Sequence, residues 1–460
     1  MKKTIILGGG ITGLSCAYEL VKGGAQGVTL VETQSRLGGK VLSPRSGRLI
    51  FEGGPDSFVT TKPWALELVR ELGLEAELLA TNPAKKSMYV YAGGKLRRFP
   101  EGLLLMAPTQ IMPFLQSDLL SMPAKLRMGL DWILPAGNTD RDVSIGEFGR
   151  RRFGAEALER IIAPVMAGIH AGDPDKLSLR STFPQFLELE KKYGSLIRGM
   201  RAAAAHRPKP SGKTSMFMTL RGGLESMTEA LAQRIGSVAR LNTHIDKIER
   251  VGKSWRVTAG DQTLEAERII CTFPANRAAE ACTAVSPQLH QALAAIPFAS
   301  TATLSLAYSS EHFPITLDGF GFVVDRREEA SLTGATYTST KFPGRVPLGT
   351  VLMRCFLGGA GREEILSEAD EDLTAAVQRD LQKILNLQAE PTETRLLRWP
   401  AASPQYNVGH EERVAAIAAA TPEGLTFAGA SYKGVGLPDC IRAGRAAAQA
   451  VLKGEAVPVV

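Results

Sequence analysis

Gly8-Gly9-Gly10-Ile11-Thr12-Gly13 carries the spacing G-x-G-x-x-G. The string means little alone, but Thr4 to Leu7 before it reads as a short apolar strand, and Leu14, Ala17, Leu20 and Val21 after it recur at helical spacing. In that setting each glycine has a task. Gly8 permits a tight turn, Gly10 lets a pyrophosphate approach the backbone, and Gly13 lets the helix pack closely on the strand. The helix then offers its first N–H groups and the positive end of its dipole to the phosphates. Glu32 ends a second strand, Val28 to Val31, and follows Gly13 by 19 residues. A carboxylate there accepts hydrogen bonds from a ribose 2′-OH and repels a 2′-phosphate, which disfavours NADP. Strand, helix, strand and acid in register predict a dinucleotide site.

Three other strings fail on spacing. Gly212-Lys213-Thr214 suggests a P-loop, but Arg207 stands where its first glycine belongs and no strand precedes it. Gly359-Ala360-Gly361 suggests a second dinucleotide site, but Glu364 occupies the third glycine position. His410-Glu411-Glu412 has no second histidine at zincin spacing. No metal site is expected. Without a second nucleotide site, electrons are expected from a substrate rather than from NAD(P)H.

The elements that must position these residues fill 460 positions, enough for two or three domains. Hydrophobic residues make up 44% and charged residues 22%, which excludes a disordered or fibrous chain. A net charge of +7 favours an anionic partner, either a membrane surface or an acidic small molecule. The basic residues are scattered and no nucleic-acid motif accompanies them, so nucleic acid is not expected. Cys16, Cys271, Cys282, Cys355 and Cys440 form no C-x-x-C, which points to a reducing cytosol without disulfides. The apolar start after Met1-Lys2-Lys3 is too short for a signal peptide, and no stretch is long enough for a spanning helix.

Further along, a helix is expected from Pro63, with Leu66, Val69 and Leu72 on one face. Residues 100 to 135 hold Leu103-Leu104-Leu105 and four of the twelve methionines, Met106, Met112, Met122 and Met128, broken by prolines. Short greasy helices there would form a core, line a pocket or lie on lipid. Residues 207 to 215 read as a linker. Ser254 to Val257, Ile269 to Thr272, Thr301 to Ala307 and Val351 to Phe356 suggest a second, β-rich domain. A last buried strand, Leu425 to Ala428, precedes a helix from about Pro438.

Arg36-Leu37-Gly38-Gly39 and Glu52-Gly53-Gly54-Pro55 follow the acid closely. The arrangement resembles the flavin-containing amine oxidase superfamily, where this motif pair holds FAD. Later blocks are similar to its protoporphyrinogen and coproporphyrinogen oxidase branch. They are Gly168-Ile169-His170-Ala171-Gly172-Asp173, Leu177-Ser178, Phe183-Pro184, Leu220-Arg221-Gly222-Gly223-Leu224, Gly319-Phe320-Gly321-Phe322, 404–410 (Pro-Gln-Tyr-Asn-Val-Gly-His) and the long run from Ala428 to Ile441.

That resemblance implies an α/β plus α+β architecture: a Rossmann-like FAD domain (1–60, 215–285 and 395–460), a mixed-sheet substrate domain (61–95 and 286–394) and a helical membrane or substrate-channel domain (96–214). It implies one noncovalent FAD. Gly8, Gly9, Gly10, Ile11, Thr12, Gly13, Glu32, Thr33, Arg36, Gly38, Gly39 and Lys40 would hold its adenosine and pyrophosphate. Gly54, Pro55, Asp56 and Ser57 would lie along the ribityl and flavin. Ile245, in a strand, would contact adenine, and Trp399, Val435, Gly436 and Leu437 would close over the isoalloxazine. Phe320 and Gly321 would flank the substrate macrocycle. The implied reaction is oxidation of a porphyrinogen, a tetrapyrrole, in haem biosynthesis. Three two-electron rounds end on oxygen or another acceptor, and no catalytic side chain is nominated. The implied location is the cytoplasm, with peripheral contact to the inner face of the cell membrane left open along with oligomeric state. Two other outcomes stay open: an amine oxidase or carotenoid desaturase of the same superfamily, and a redox-neutral flavin isomerase.

Overall fold

The computed structural model describes residues 3–104, 106–137, 140–205, 215–456 and 458–460. Met1-Lys2, Leu105 and most of the expected 207–215 linker lie outside the described residues. The chain divides into two compact units, Met1–Ala80 with Thr214–Phe298 and His410–Val460, and Thr81–Lys213 with Ala299–Gly409.

The first unit is built on a five-stranded parallel sheet. Its strands are β1 (Thr4–Leu7), β2 (Val28–Val31), β3 (Ala239–Arg240), β4 (Arg268–Cys271) and β5 (Leu425–Phe427), in the order β3-β2-β1-β4-β5. Both faces are covered, so the strands are almost wholly apolar. Side-chain alternation sends Ile6 and Leu30 into a cluster with α1 (Ile11–Lys22), α2 (Glu225–Ile235) and α3 (Leu437–Lys453). Ile5, Leu7, Ile269 and Cys271 face the opposite cluster, with Trp255, Leu289 and Ile417. The free edge of β5 is paired by the C-terminal residues: Phe427 N–H donates to the Pro458 carbonyl at 2.8 Å, and Val460 N–H to that of Phe427 at 3.0 Å.

Several expectations shift here. The strands Ser254–Ala259 and Arg268–Cys271 belong to this first unit, because the chain returns to it after crossing the second. The helix after Pro63 is Trp64–Glu71, and it buries Ala65, Leu68, Val69 and then Leu72, while Leu66 is half-buried. That set follows i, i+3, i+4, i+7 from Ala65, the true axis of the apolar stripe. Ile245 lies just before the strand Lys247–Val251, not in it, and is buried.

The second unit holds a seven-stranded mixed sheet in the order Glu393–Pro404, Phe298–Ser309, Thr350–Gly358, Leu332–Tyr337, Gly321–Val324, Met88–Ala92, Lys95–Arg98. One face packs on Leu373, Val377 and Leu381 of the helix Asp370–Leu385. A separate cluster unites the helices of 111–205 with Val90 and Ala92. Within 100–135, Leu103–Leu104 pairs with Ala107–Pro108 as a small hairpin rather than a helix. The short helices Ile111–Gln116 and Met122–Gly129 follow. Their methionines divide: Met106 and Met128 are buried, whereas Met112 and Met122 are exposed.

Candidate functional site

In the order β3-β2-β1-β4-β5 the succession of strands runs outward in opposite senses on the two sides of β1, which makes the carboxyl end of β1 a topological switch point where a crevice opens. Gly8 leaves the strand with φ +104°, and its N–H donates to the Val31 carbonyl at 2.8 Å. A side chain at Gly8 would strike Thr272 Oγ1. A Cβ at Gly13 would fall onto the Gly8 carbonyl, so both positions require glycine for internal packing. Gly10 differs. A Cβ there would meet nothing within 4 Å, so its bareness serves something outside the chain. Gly10 is the N-cap of α1, with no side-chain cap and no acidic residue in the first turn. The positive end of α1 is thus presented to an external anion.

Glu32 is fixed by the same loop. Its Oε2 accepts from Gly9 N–H at 2.7 Å and its Oε1 from Gln34 N–H at 2.8 Å. Each oxygen keeps acceptor capacity for a hydroxyl. Asn242 and Thr243 N–H groups bond the carbonyls of Gln34 and Glu32, which brings the Ile245 segment alongside. Thr33 is exposed at the rim.

The second glycine pair packs on the first. Gly38 N–H donates to the Gly9 carbonyl at 2.8 Å, and Gly10 and Gly38 form a parallel bridge. A Cβ on Gly39, at φ +57°, would come within 3.1 Å of Gly10 Cα. Arg36 closes its own loop, donating to the carbonyls of Gly39 at 2.6 Å and Leu37 at 3.2 Å. Gly54 lies against the Lys40 carbonyl so closely that a Cβ would overlap it. Burial lowers the Lys40 amine from its ordinary range. Next to Gly54 and Pro55, Ser57 Oγ donates to Asp56 at 2.6 Å.

The C-terminal block enters from the other side. A Cβ on Gly444 would fall onto the Thr12 carbonyl, so α3 packs tightly on α1. Gly436 is the N-cap of α3, next to Val435 and Leu437. Asp439 in its first turn is bound by Lys62 Nζ at 2.6 and 2.8 Å. Burial, more than any neighbour, pushes the Cys440 thiol up to about 11, so it is a neutral thiol at physiological pH. All five cysteines are free and buried.

The structure therefore brings together Gly8 to Gly13, Glu32, Arg36 to Lys40, Gly54 and the start of α3. Phe320, Gly321 and Trp399 lie in the second unit: Phe320 and Trp399 are half-buried, and Gly321 opens the strand Gly321–Val324. Sequence reasoning missed Thr272, whose hydroxyl donates to the Leu7 and Gly8 carbonyls at 2.9 and 3.0 Å. It also missed Glu52, buried and accepting from Ser43 Oγ at 2.6 Å and Leu224 N–H at 3.0 Å. Only the position of Thr272 at the end of an apolar strand hinted at the first. Among the described residues, no cluster of three His, Cys, Asp or Glu could hold a metal, and no helix is long and apolar enough to cross a membrane.

A family model for flavin containing amine oxidoreductase matches residues 11–452. The coproporphyrinogen III oxidase of Bacillus subtilis (strain 168) is 38% identical over 97% of both chains. The chloroplastic protoporphyrinogen oxidase 1 of Arabidopsis thaliana is 31% identical over 95% of this chain and 85% of its own. A crystal structure from Exiguobacterium sp. 255-15 superposes with a TM-score of 0.88 at 32% identity, covering 99% of each chain.

Proposed function

The chain belongs to the flavin-containing amine oxidoreductases and is a flavin-dependent oxidoreductase, and from that premise we propose that it oxidises a porphyrinogen of haem biosynthesis. The substrate is coproporphyrinogen III, protoporphyrinogen IX or both, the product the corresponding porphyrin, and oxygen the acceptor. The flavin is FAD, one per chain and noncovalent. When bound, it supplies the two-electron oxidation, repeated three times for each macrocycle.

The chain's own residues bind and orient. The bare Gly10 and the uncapped start of α1 receive the pyrophosphate, with Ile11 and Thr12 in that first turn. Glu32 takes the adenosine ribose through its remaining lone pairs, flanked by Thr33 and by Ile245. Arg36 holds the Leu37–Gly39 turn in place beside Gly10, and burial lowers the Lys40 amine from its ordinary range. Gly54, Pro55, Asp56 and Ser57 line the ribityl, and Val435, Gly436 and Leu437 the isoalloxazine. The neutral Cys440 thiol supports a noncovalent flavin. No side chain is assigned to acid–base work.

The observation that carries the reading is the end-to-end likeness to porphyrinogen oxidases. Two separate hydrophobic clusters in the second unit support its division into a substrate domain and a helical domain. Peripheral contact with the inner face of the cytoplasmic membrane rests on the helical part. There Ile111, Met112, Leu115, Met122, Leu126 and Ile133 are all exposed.

Incubating the yellow, purified protein with each porphyrinogen tests the reading. Porphyrin fluorescence should rise above the spontaneous rate with matching oxygen uptake. Flavin-loaded protein that leaves both substrates at the spontaneous rate would refute it.

A further inference from the structure

The segments 54–57 and 435–437, assigned above to the ribityl and the isoalloxazine, lie far apart in sequence, and an ion pair between their neighbours joins them. Lys62 Nζ donates to both carboxylate oxygens of Asp439, at 2.8 and 2.6 Å. Lys62 follows the strand Phe58–Val59, which continues directly from Ser57 and packs on α3. Thr60 fixes this stretch, its hydroxyl on the Ser215 carbonyl at 2.7 Å and its N–H on the Met216 carbonyl at 2.9 Å. Asp439 is the acidic residue of the first turn of α3.

The carboxylate lies against the turn that leads into α3. A Cβ on Gly434 would come within 2.6 Å of Asp439 Cγ, and one on Gly436 within 3.0 Å of its Oδ2. The Asp439 side chain is 9% exposed, whereas that of Lys62 is 45% exposed and reaches in from the surface. A nearly buried carboxylate is costly unless a cation is bound to it. Arg442, a cation of the same helix, is directed elsewhere, to the Lys433 carbonyl at 3.3 Å and the face of the Trp64 ring. Lys62 is therefore the cation that answers Asp439. The charges also act in sequence. The start of α3 carries the positive end of its dipole, Asp439 cancels it, and Lys62 cancels Asp439 in turn.

From this arrangement we propose that Lys62 and Asp439 are a positioning pair that holds the Val435–Leu437 turn and sets the charge it presents to the flavin. Lys62 favours the reduced flavin and Asp439 opposes it. The inference rests on the placement of 435–437 at the isoalloxazine. Reduction adds electrons to that ring, so a fixed charge beside it shifts the equilibrium between its oxidised and reduced forms. Neither residue is given contact with the substrate.

The test is the reduction equilibrium of flavin-loaded protein against a dye of known potential, with no porphyrinogen present. Wild type, K62M, D439N and K62M/D439N are compared. K62M leaves Asp439 unpaired and should shift the equilibrium about tenfold towards oxidised flavin, roughly 30 mV for a two-electron couple. D439N leaves Lys62 unpaired and should shift it the other way by a similar factor. The double variant should return to within about threefold of wild type. Loss of a merely structural contact would move all three variants in one direction. If D439N cannot be recovered with flavin, K62R against K62M decides, because arginine keeps the charge and should restore the wild-type equilibrium. Both single variants within about threefold of wild type, or both shifted in one direction, overturn the role of the pair. So does K62R displaced as far as K62M. V435F tests the placement on which the pair depends: the visible spectrum of the bound flavin should change, and an unchanged spectrum overturns the placement and the pair together. Because no porphyrinogen enters these measurements, their failure leaves the porphyrinogen reading to its own turnover assay.

Discussion

The glycine loops of the first unit and the sheet of the second are built in opposite ways. At the end of β1 the chain offers backbone: N–H groups, a helix dipole and glycines, all drawn from runs of a few residues. On the seven-stranded sheet it offers side chains such as Ser305, Arg354 and Thr336, brought into one row from strands far apart in sequence. The same contrast holds for stability. The helical part of the second unit is tied by a buried side-chain network, in which Arg152 pairs with Glu190 and with Asp131 at 3.2 Å. Arg151 joins Glu190 at 2.7 Å, and Asp131 accepts from Ser195 Oγ at 2.6 Å and Ile197 N–H at 2.9 Å.

The largest effect should come from that network. E190A leaves a buried guanidinium half-compensated, and a loss of about 3–5 kcal/mol in denaturant unfolding is expected. Burial by itself would raise the Glu190 carboxyl, but Arg151 and Arg152 outweigh it and hold it below its ordinary 4.5. A depressed folded value means the stabilisation is complete above pH 4.5 and drains away as pH falls through the folded value. E190Q should therefore show a flatter acid limb than wild type, and an identical limb would break the comparison.

Next is G10V, which adds atoms where the chain itself has room. Apoprotein melting should change little, while flavin affinity falls by about 2–3 kcal/mol, roughly thirty- to a hundred-and-fiftyfold, measured by flavin fluorescence on reconstitution. G13V is the sharpening control, because its Cβ meets the Gly8 carbonyl and the fold itself should suffer. E32Q should be milder: losing the charge at a ribose hydrogen bond weakens flavin binding by about 1.5 kcal/mol, roughly tenfold. The smallest effect on stability belongs to L126E with I133E, at positions 69% and 79% exposed. Unfolding should shift by no more than about 0.5 kcal/mol. Sedimentation with anionic vesicles should drop, and undiminished sedimentation would remove the lipid role from this surface.

The strand, glycine turn and helix that open the first unit were legible because their code is local. Gly8 to Gly13 and Glu32 are spaced by the geometry of one strand, one helix and one strand, and the same glycines serve wherever that unit forms. The Arg36 to Gly39 loop was legible for the same reason. The misreadings were of another kind. Leu66, half-buried at the edge of the cluster, was placed on the buried face in place of Leu68 because periodicity leaves the stripe's axis free by one residue, and packing against the helix Leu437–Lys453 chooses it. Alternation alone grouped Ser254–Val257 and Ile269–Thr272 with later strands, because sequence order does not say which sheet a strand joins, whereas the bounds implied by the resemblance kept 215–285 with the first segment. Met112 and Met122 could not be told from Met106 and Met128 by composition, since burial depends on what else packs there.

From the amino-acid order alone came the parallel nucleotide fold, the cradle that ends its first strand and the family to which the chain belongs. These depend on contacts between residues close in sequence, or on long runs of identity. Tertiary structure alone decided that Thr272 braces the Gly8 turn, that Glu52 anchors the Ser43 loop, and that Arg354 stands two strands from Gly321. Cross-strand register is set by the packing of a whole sheet against its helix, and no local spacing encodes it.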